Sequence, residues 1–493
     1  MLLSSRHLIT TGCLLVVGFS CNSPQNQGFH SEPTVEIDLN AIRQRGYINV
    51  LVDNNSISYF IYKGRPMGYE YELLQMLAKE LKVGLKIKVT SGIENAIEQL
   101  NAGDGDILAF PLTVNTPRKK WVAFTRPHFN TYQVLVQRKP DNWKKMNIDQ
   151  ISAKLVRNPI DLSGKEVHVI KGTSYELRLK NLAEESGADM IIRQDTLNAE
   201  SESLIRKVAM GEIDYTICDH TMAQVNAAYY PNLDVNTVLG IPQQIAWAVR
   251  KNSPALLKAI DVWMADIKKE PTFMVIYNRY FRSPRTSLIR MQSDYTSFSG
   301  NKLSPYDNLI KNGAEELGWD WRFLASVVYQ ESKFSPSGES WAGARGLMQL
   351  MPETAKRFGV KNVNDPAQSI RGGVSYLKYL NRYWEKNVAD STERLKFVLA
   401  SYNAGLSHII DAHKLAKKYG KEPGLWHDNV EYYLLKKSEP KYYRDPITRA
   451  GYCKCEEPVN YVNDVFERYE EYSTHIKADS VGLLSAQTSM MTR

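Results

Sequence analysis

Between about residues 38 and 281, short β-rich runs alternate with amphipathic helical runs, and beyond that point the alternation stops. The first block reads as a strand over 47–52 and a helix over 68–81, with Leu73, Leu74, Leu77 and Leu81 at helical spacing. A strand over 85–89, a helix over 93–101 closed by Gly103, and a strand over 107–110 complete it. The second block repeats the order: strand 167–170, helix 173–184, strand 190–193, helix 201–210 closed by Gly211, strand 215–218. Two such blocks predict an α/β unit with mainly parallel pairing, because a helical crossover returns the chain in the same direction.

From about 304 to 472 the pattern is helical. Helices are predicted over 307–317 and 320–332, the second with Asp320 as N-cap, and another opens at Asp365-Pro366 as N-cap and first turn. A helix over 391–403 stops near Gly405. Residues 283–303 carry neither period and read as a linker. A chain of 493 residues exceeds one compact unit, so two or three domains are expected, and the change of pattern marks two. The net charge of +8 is spread over both, which argues against a nucleic-acid-binding domain. The five cysteines, Cys13, Cys21, Cys218, Cys453 and Cys455, lack zinc spacing, so no metal is expected. Cys453 and Cys455 read either as a bridge or as two surface thiols.

At the start, Arg6 and His7 precede an apolar run over 8–19, too short to span a bilayer and suited to a secretory signal. It ends Gly18-Phe19-Ser20-Cys21, which resembles a bacterial lipobox with Gly18 where Leu is usual. The expectation is a signal peptide at 1–20, a lipid on Cys21 anchoring the chain to a membrane, and a polar tether over 21–38. A plain cleaved signal is the alternative.

Chemistry concentrates in the helical part. On the helix over 320–332, Leu324, Val327 and Val328 form an apolar stripe, and Glu331 continues it. A carboxylate there faces a core or cleft, where desolvation favours the neutral form, a proton donor near neutral pH. An exposed helix-end Glu pairing with Lys333 is the bland reading. Gly343 and Gly346 then allow close backbone approach, and Met348, Gln349 and Met351 precede Pro352. Tyr402 and Asn403, within Ser-Tyr-Asn-Ala-Gly at a helix end, offer a ring face, a donor and an acceptor.

In type, order and spacing, these stretches resemble the lytic transglycosylase domain of the soluble-lytic-transglycosylase family, within the lysozyme-like fold. The resemblance covers about 304–470. It implies that Glu331 is the catalytic acid/base and that Ser340, Met348, Gln349, Met351, Tyr402 and Asn403 contact substrate. Tyr461-Val462 resembles the family's closing Tyr-Val motif. Ordinary glycosidases use two flanking carboxylates; here only Glu331 stands out, with Glu339 and Glu353 nearby in sequence. The family chemistry resolves this. The acid protonates the oxygen between MurNAc and GlcNAc, the substrate acetamido group stabilises the cationic centre, and the MurNAc 6-hydroxyl closes a 1,6-anhydro ring. No water, metal or cofactor is needed.

The first domain holds Thr113 and Arg118 after a strand, Phe-Thr-Arg-Pro at 124–127, Gly172-Thr173-Ser174 opening a helix, and Asp219 after a strand. Arg118 can grip a carboxylate, the amides at 172–174 favour an anion, and Asp219 can meet an ammonium. Residues 39–283 resemble family-3 solute-binding proteins, which bind amino acids between two lobes; the lobes are expected at about 39–137 plus 245–283, and 138–244. Thr113, Arg118, Thr173 and Asp219 are the implied ligand contacts. The whole is therefore an α/β two-lobed periplasmic-binding-protein domain (39–283), a linker (284–303), an all-α-rich lysozyme-like (α+β) transglycosylase domain (304–475) and a tail (476–493). The expected partners are peptidoglycan glycan strands, a small amino-acid-like or peptide ligand, and a membrane through the lipid; the expected place is the periplasmic side of the envelope, as an outer-membrane lipoprotein. A lysozyme-like hydrolase, and an amino-acid-binding lipoprotein whose helical domain only holds glycan, are the competing readings.

Overall fold

A computed structural model describes residues 32–195, 201–283, 289–290, 293–297 and 302–476. The leader and Cys21 lie outside the described residues.

The strand–helix alternation builds two sheets. The first runs in the order Gly84–Val89, Tyr47–Val52, Ile107–Thr113, Gln243–Val249, Ala123–Phe124, with Phe129–Thr131 also paired to Gln243–Val249. The second runs Ile191–Asp195, Glu166–Ile170, Tyr215–Asp219, Gln133–Arg138, Leu233–Val238. In each, the strand that opens its block pairs in parallel with both neighbours, as the helical crossovers require.

Pairing is mixed rather than mainly parallel. Gln133–Arg138 and Gln243–Val249 run antiparallel to their partners. These strands arrive directly from the other sheet, without a helical crossover, so nothing obliges them to run with it. They also move the lobe boundaries. The chain passes between sheets at 131–133 and 238–243, so 133–138 belongs to the second lobe and 243–244 to the first.

The helical part follows its caps. Asp320 accepts from the Arg322 amide and opens Trp321–Ser332; Asp365 accepts from Gln368 and opens Pro366–Glu385; Asp390 accepts from Glu393 and opens Ser391–Ala404. These helices and Glu456–His475 enclose one core, in which Leu324, Val327, Val328, Leu377, Phe397 and Val465 are fully buried.

The two domains meet through a hairpin. Phe60–Tyr62 and Arg65–Met67 pair antiparallel and turn at Lys63-Gly64. Gly64 has φ of +70°, and a Cβ there would lie 2.2 Å from the Tyr329 ring, so glycine is required on both counts. Its carbonyl accepts from Tyr472 Oη at 3.2 Å, and Arg65 Nε donates to Tyr329 Oη at 2.8 Å. Part of the stretch read as linker joins this contact: Lys63 N donates to Tyr295 O, and Ile61 N to Ser297 Oγ. The buried His475 ring lies 4.2 Å from the Tyr59 ring, and burial holds its pKa down at about 3.

Candidate active site

The helix Trp321–Ser332 buries every residue from Trp321 to Tyr329 and breaks at Lys333 and Phe334, both left-handed. Glu331 therefore sits on the last turn of a nearly fully buried helix. Its neighbour Gln330 donates to Asp464 at 2.9 Å, which ties this helix to Glu456–His475. From that second helix Tyr461 donates its hydroxyl to Glu331 Oε1 at 2.5 Å. Burial raises the Glu331 pKa, the Tyr461 bond pulls it back, and the charge of Glu457 adds a smaller push, leaving it at about 8. Glu331 keeps a partial solvent edge, yet among the described residues no cation pairs with it. The arrangement is a carboxylic acid kept neutral at pH 7 beside an accessible surface.

Burial raises the Tyr402 pKa, the nearby Glu331 charge adds to the rise, and the hydroxyl donates to Met348 O at 2.7 Å. That bond places Tyr402 but occupies its proton. Met348 is a core side chain, fully buried, and packs where Gly373 leaves room. Met351 is 44% exposed and stands at the start of Pro352–Arg357. Gln349 takes a left-handed backbone and donates to the carbonyls of Gly338 and Gly346, so it shapes the loop. Ser340 Oγ accepts from the Ala344 amide within the same loop. Asn403 is half-buried on the final turn of Ser391–Ala404. Gly346 serves the fold, since a Cβ there would meet Val363 O at 1.9 Å, whereas Gly343 faces open space.

The α/β residues meet between the lobes. Arg118 is buried, donates to Thr113 O at 3.1 Å, and has its pKa lowered to about 10 by burial against the opposing pull of Tyr175 and Asp219. Asp219 is buried, accepts from Tyr175 Oη at 2.9 Å, and is raised to about 6 by burial, with the Tyr175 bond and the Arg118 charge opposing. Its Oδ1 has no hydrogen-bond partner among the described residues. Thr113 Oγ1 lies 3.4 Å from Ser174 Oγ and donates to Gln243 Oε1 at 3.2 Å. Thr173 differs: its hydroxyl donates to Ile170 O and caps Ser174–Ser186. The Gly172 amide, expected to favour an outside anion, is taken by Glu176 Oε2 at 2.8 Å. A latch joins the lobes, with Ser56 N and Oγ both donating to the half-buried Glu202. Sequence reasoning named Ser174 only for its amide and missed Tyr175, Gln243 and Glu202. Tyr175 adjoins a motif already singled out; nothing in the sequence marks Gln243 or Glu202.

Cys453 and Cys455 are bonded to each other, which settles that choice in favour of a bridge. With His408 they place three ligand-type atoms within 4.8 Å of one another, but a disulfide offers no thiolate, and Lys437 Nζ stands 3.1 Å from His408 Nδ1. A concavity of about 610 Å³ lined by Tyr62, Met67, Ile289 and Arg290 lies at the hairpin, away from Glu331. Among the described residues no helix is long and apolar enough to cross a membrane.

Two family models match: Bacterial extracellular solute-binding proteins, family 3, over residues 48–283, and Transglycosylase SLT domain, over 308–424. Several curated proteins named Membrane-bound lytic murein transglycosylase F are similar over most of this chain. The Desulfosudis oleivorans protein is 36% identical over 87% of this chain and 90% of its own length. The Pseudomonas fluorescens (strain Pf0-1) protein is 30% identical over 94% and 90%, and the Photobacterium profundum protein 31% over 90% and 83%. Among solved structures, holo ArgBP from T. maritima is 24% identical, with a TM-score of 0.40 over 48% of this chain and 98% of that one.

Proposed function

Since the chain belongs to the membrane-bound lytic murein transglycosylase F family, and is thus a lyase-type peptidoglycan-cleaving enzyme with a family-3 solute-binding domain, we propose that Glu331 carries the cleavage alone and ends it without water. The observation that carries this reading is the Glu331 carboxyl, raised to about 8 and held by Tyr461. Protonated at pH 7, it donates to the glycosidic oxygen between MurNAc and GlcNAc. The bond breaks toward that oxygen, and the cationic centre left on MurNAc is stabilised by the substrate's own acetamido group. Glu331, now a carboxylate, takes the proton of the MurNAc 6-hydroxyl as that oxygen closes the 1,6-anhydro ring. Tyr461 donates to the carboxylate and steadies it between the two transfers. The partial solvent edge of Glu331 and the exposed Met351 support substrate access from the side of Ser340, Gln349, Tyr402 and Asn403; Met348 contributes through its carbonyl, which fixes Tyr402.

The α/β domain senses a small amino-acid-like or peptide ligand. Arg118 meets its carboxylate, Asp219 its ammonium, and Thr113 lies between the lobes to complete the contact. Closure reaches the acid through the hairpin, because Arg65 bonds Tyr329, two residues from Glu331 on the same helix. The chain divides at 39–283 and 304–475, with a signal over 1–20, a lipid on Cys21, a tether to 38, a linker over 284–303 and a tail over 476–493, and it works on the periplasmic side of the outer membrane.

The test is a digest of purified sacculi read by mass spectrometry. Anhydro-ended muropeptides are expected; reducing-ended, water-added products overturn the transglycosylase step. Isothermal titration with arginine, glutamine and lysine tests the sensor, and an absence of binding to any amino acid or muropeptide overturns it.

A further inference from the structure

Tyr402 stands between the acid and a second set of rings. Its centroid lies 5.1 Å from that of Tyr376, and Tyr376 stacks on Tyr379 at 6.5 Å and 19°. Phe358 lies 5.7 Å from Tyr376 and 6.4 Å from Tyr379, and the Arg357 guanidinium sits 4.4 Å over the Tyr379 ring. Two elements supply this group. Tyr376 and Tyr379, three apart on Pro366–Glu385, share one face of that helix. Arg357 and Phe358 end the short helix that Met351 begins. The inner face of Pro366–Glu385 is filled by Val374, Leu377, Leu380 and Trp384; Tyr376 packs partly against that core, whereas Tyr379 and Phe358 stand outside it. Tyr379 is exposed, Tyr376 and Phe358 are half-buried, and among the described residues the hydroxyls of Tyr376 and Tyr379 have no hydrogen-bond partner. The result is an aromatic ridge, open to solvent, that begins at the acid's neighbour and leads away from it.

We propose that Phe358, Tyr376 and Tyr379 form a distal subsite for the glycan strand, with Arg357 receiving an anionic substituent of that strand. The inference rests on the reading of the Glu331 cleft as the cleavage site. Sugar rings present apolar C–H faces, and aromatic side chains offer matching flat surfaces at small entropic cost. Arg357, steadied on Tyr379, is a fixed cation beside that track. The ridge engages only strands long enough to extend past Tyr402, so it confers a preference for polymer over short fragments.

The experiment compares kcat/KM on long, uncross-linked glycan strands with kcat/KM on short muropeptide oligomers. Tyr379→Ala and Phe358→Ala are each expected to lower the long-to-short ratio about tenfold. Tyr379→Phe keeps the ring and is expected to keep the ratio. A ratio unchanged in both alanine variants overturns the subsite. So does an equal loss on both substrates accompanied by a lower Tm, which would make the ridge a packing feature, or a change of oligomeric state at constant ratio, which would make it a self-contact. The subsite is also read without turnover: strands pulled down by Glu331→Gln should be held about tenfold more weakly by Glu331→Gln/Tyr379→Ala. If the wild-type chain leaves strands uncut, the cleavage reading fails while this binding measurement still stands or falls alone.

Discussion

Glu331 and Asp219, one in each domain, both accept a tyrosine hydroxyl, yet the two are tuned apart. Glu331 accepts from Tyr461 and stands at about 8; Asp219 accepts from Tyr175 and stands at about 6. Burial is the largest cause in both. The difference lies in the neighbouring charge. Arg118 faces Asp219 and favours its ionised form, whereas Glu331 has Glu457 as its nearest charged influence, which disfavours ionisation. One site is set to give up a proton at neutral pH, and the other to hold a negative charge there.

The largest expected effect removes the titrating group from the first site. Glu331→Gln should lower turnover on sacculi by about 10³-fold or more, measured as released muropeptide. In the second site, Asp219→Asn should weaken binding of an amino-acid ligand about 100-fold by calorimetry while leaving sacculus cleavage measurable. If cleavage fell and ligand binding did not, the roles assigned to the two carboxyls would be reversed.

Smaller effects sharpen the contrast. The Tyr461 bond lowers the Glu331 pKa, so Tyr461→Phe should move the alkaline limb of the kcat profile above about 8, with kcat reduced about tenfold. A limb that moved down would show the tyrosine acting otherwise. In the wild type, cleavage should fall as pH rises through about 8, and ligand binding should fall as pH drops through about 6.

The last effect is on stability. A carboxyl whose folded pKa is raised keeps its proton where the unfolded chain releases it, so its cost to folding starts near pH 4.5 and grows until about 8. Glu331→Gln should therefore leave stability unchanged below pH 4.5. At pH 8 it should raise stability by about 2 kcal/mol, discounted for the partial exposure of the group. Denaturant melts at the two pH values check both the sign and the window.

Much of this contrast was legible from residue order. The stripe Leu324, Val327, Val328 placed Glu331 against a core because helix periodicity is a local property, and Asp320 and Asp365 mark their helices because capping is local too. What stayed hidden was non-local. The tie from Tyr461 to Glu331 spans 130 residues, and the meeting of Ser56 with Glu202 spans 146. The antiparallel course of Gln133–Arg138 was also hidden, since it depends on which sheet the chain has just left. Thr173 carries a different lesson: a hydroxyl in a helix-opening motif serves its own backbone first.

The turn at Lys63-Gly64 makes the acid's helix a shared possession. A side chain added at position 64 would press on Tyr329 and shift the turn that carries Glu331, although it belongs to the other domain by sequence. Mutational scans that score the two halves separately will therefore find inactive variants scattered in a hairpin that touches neither sugar nor solute. Excising the helical half would leave Tyr329 and Tyr472 bare where that hairpin had lain.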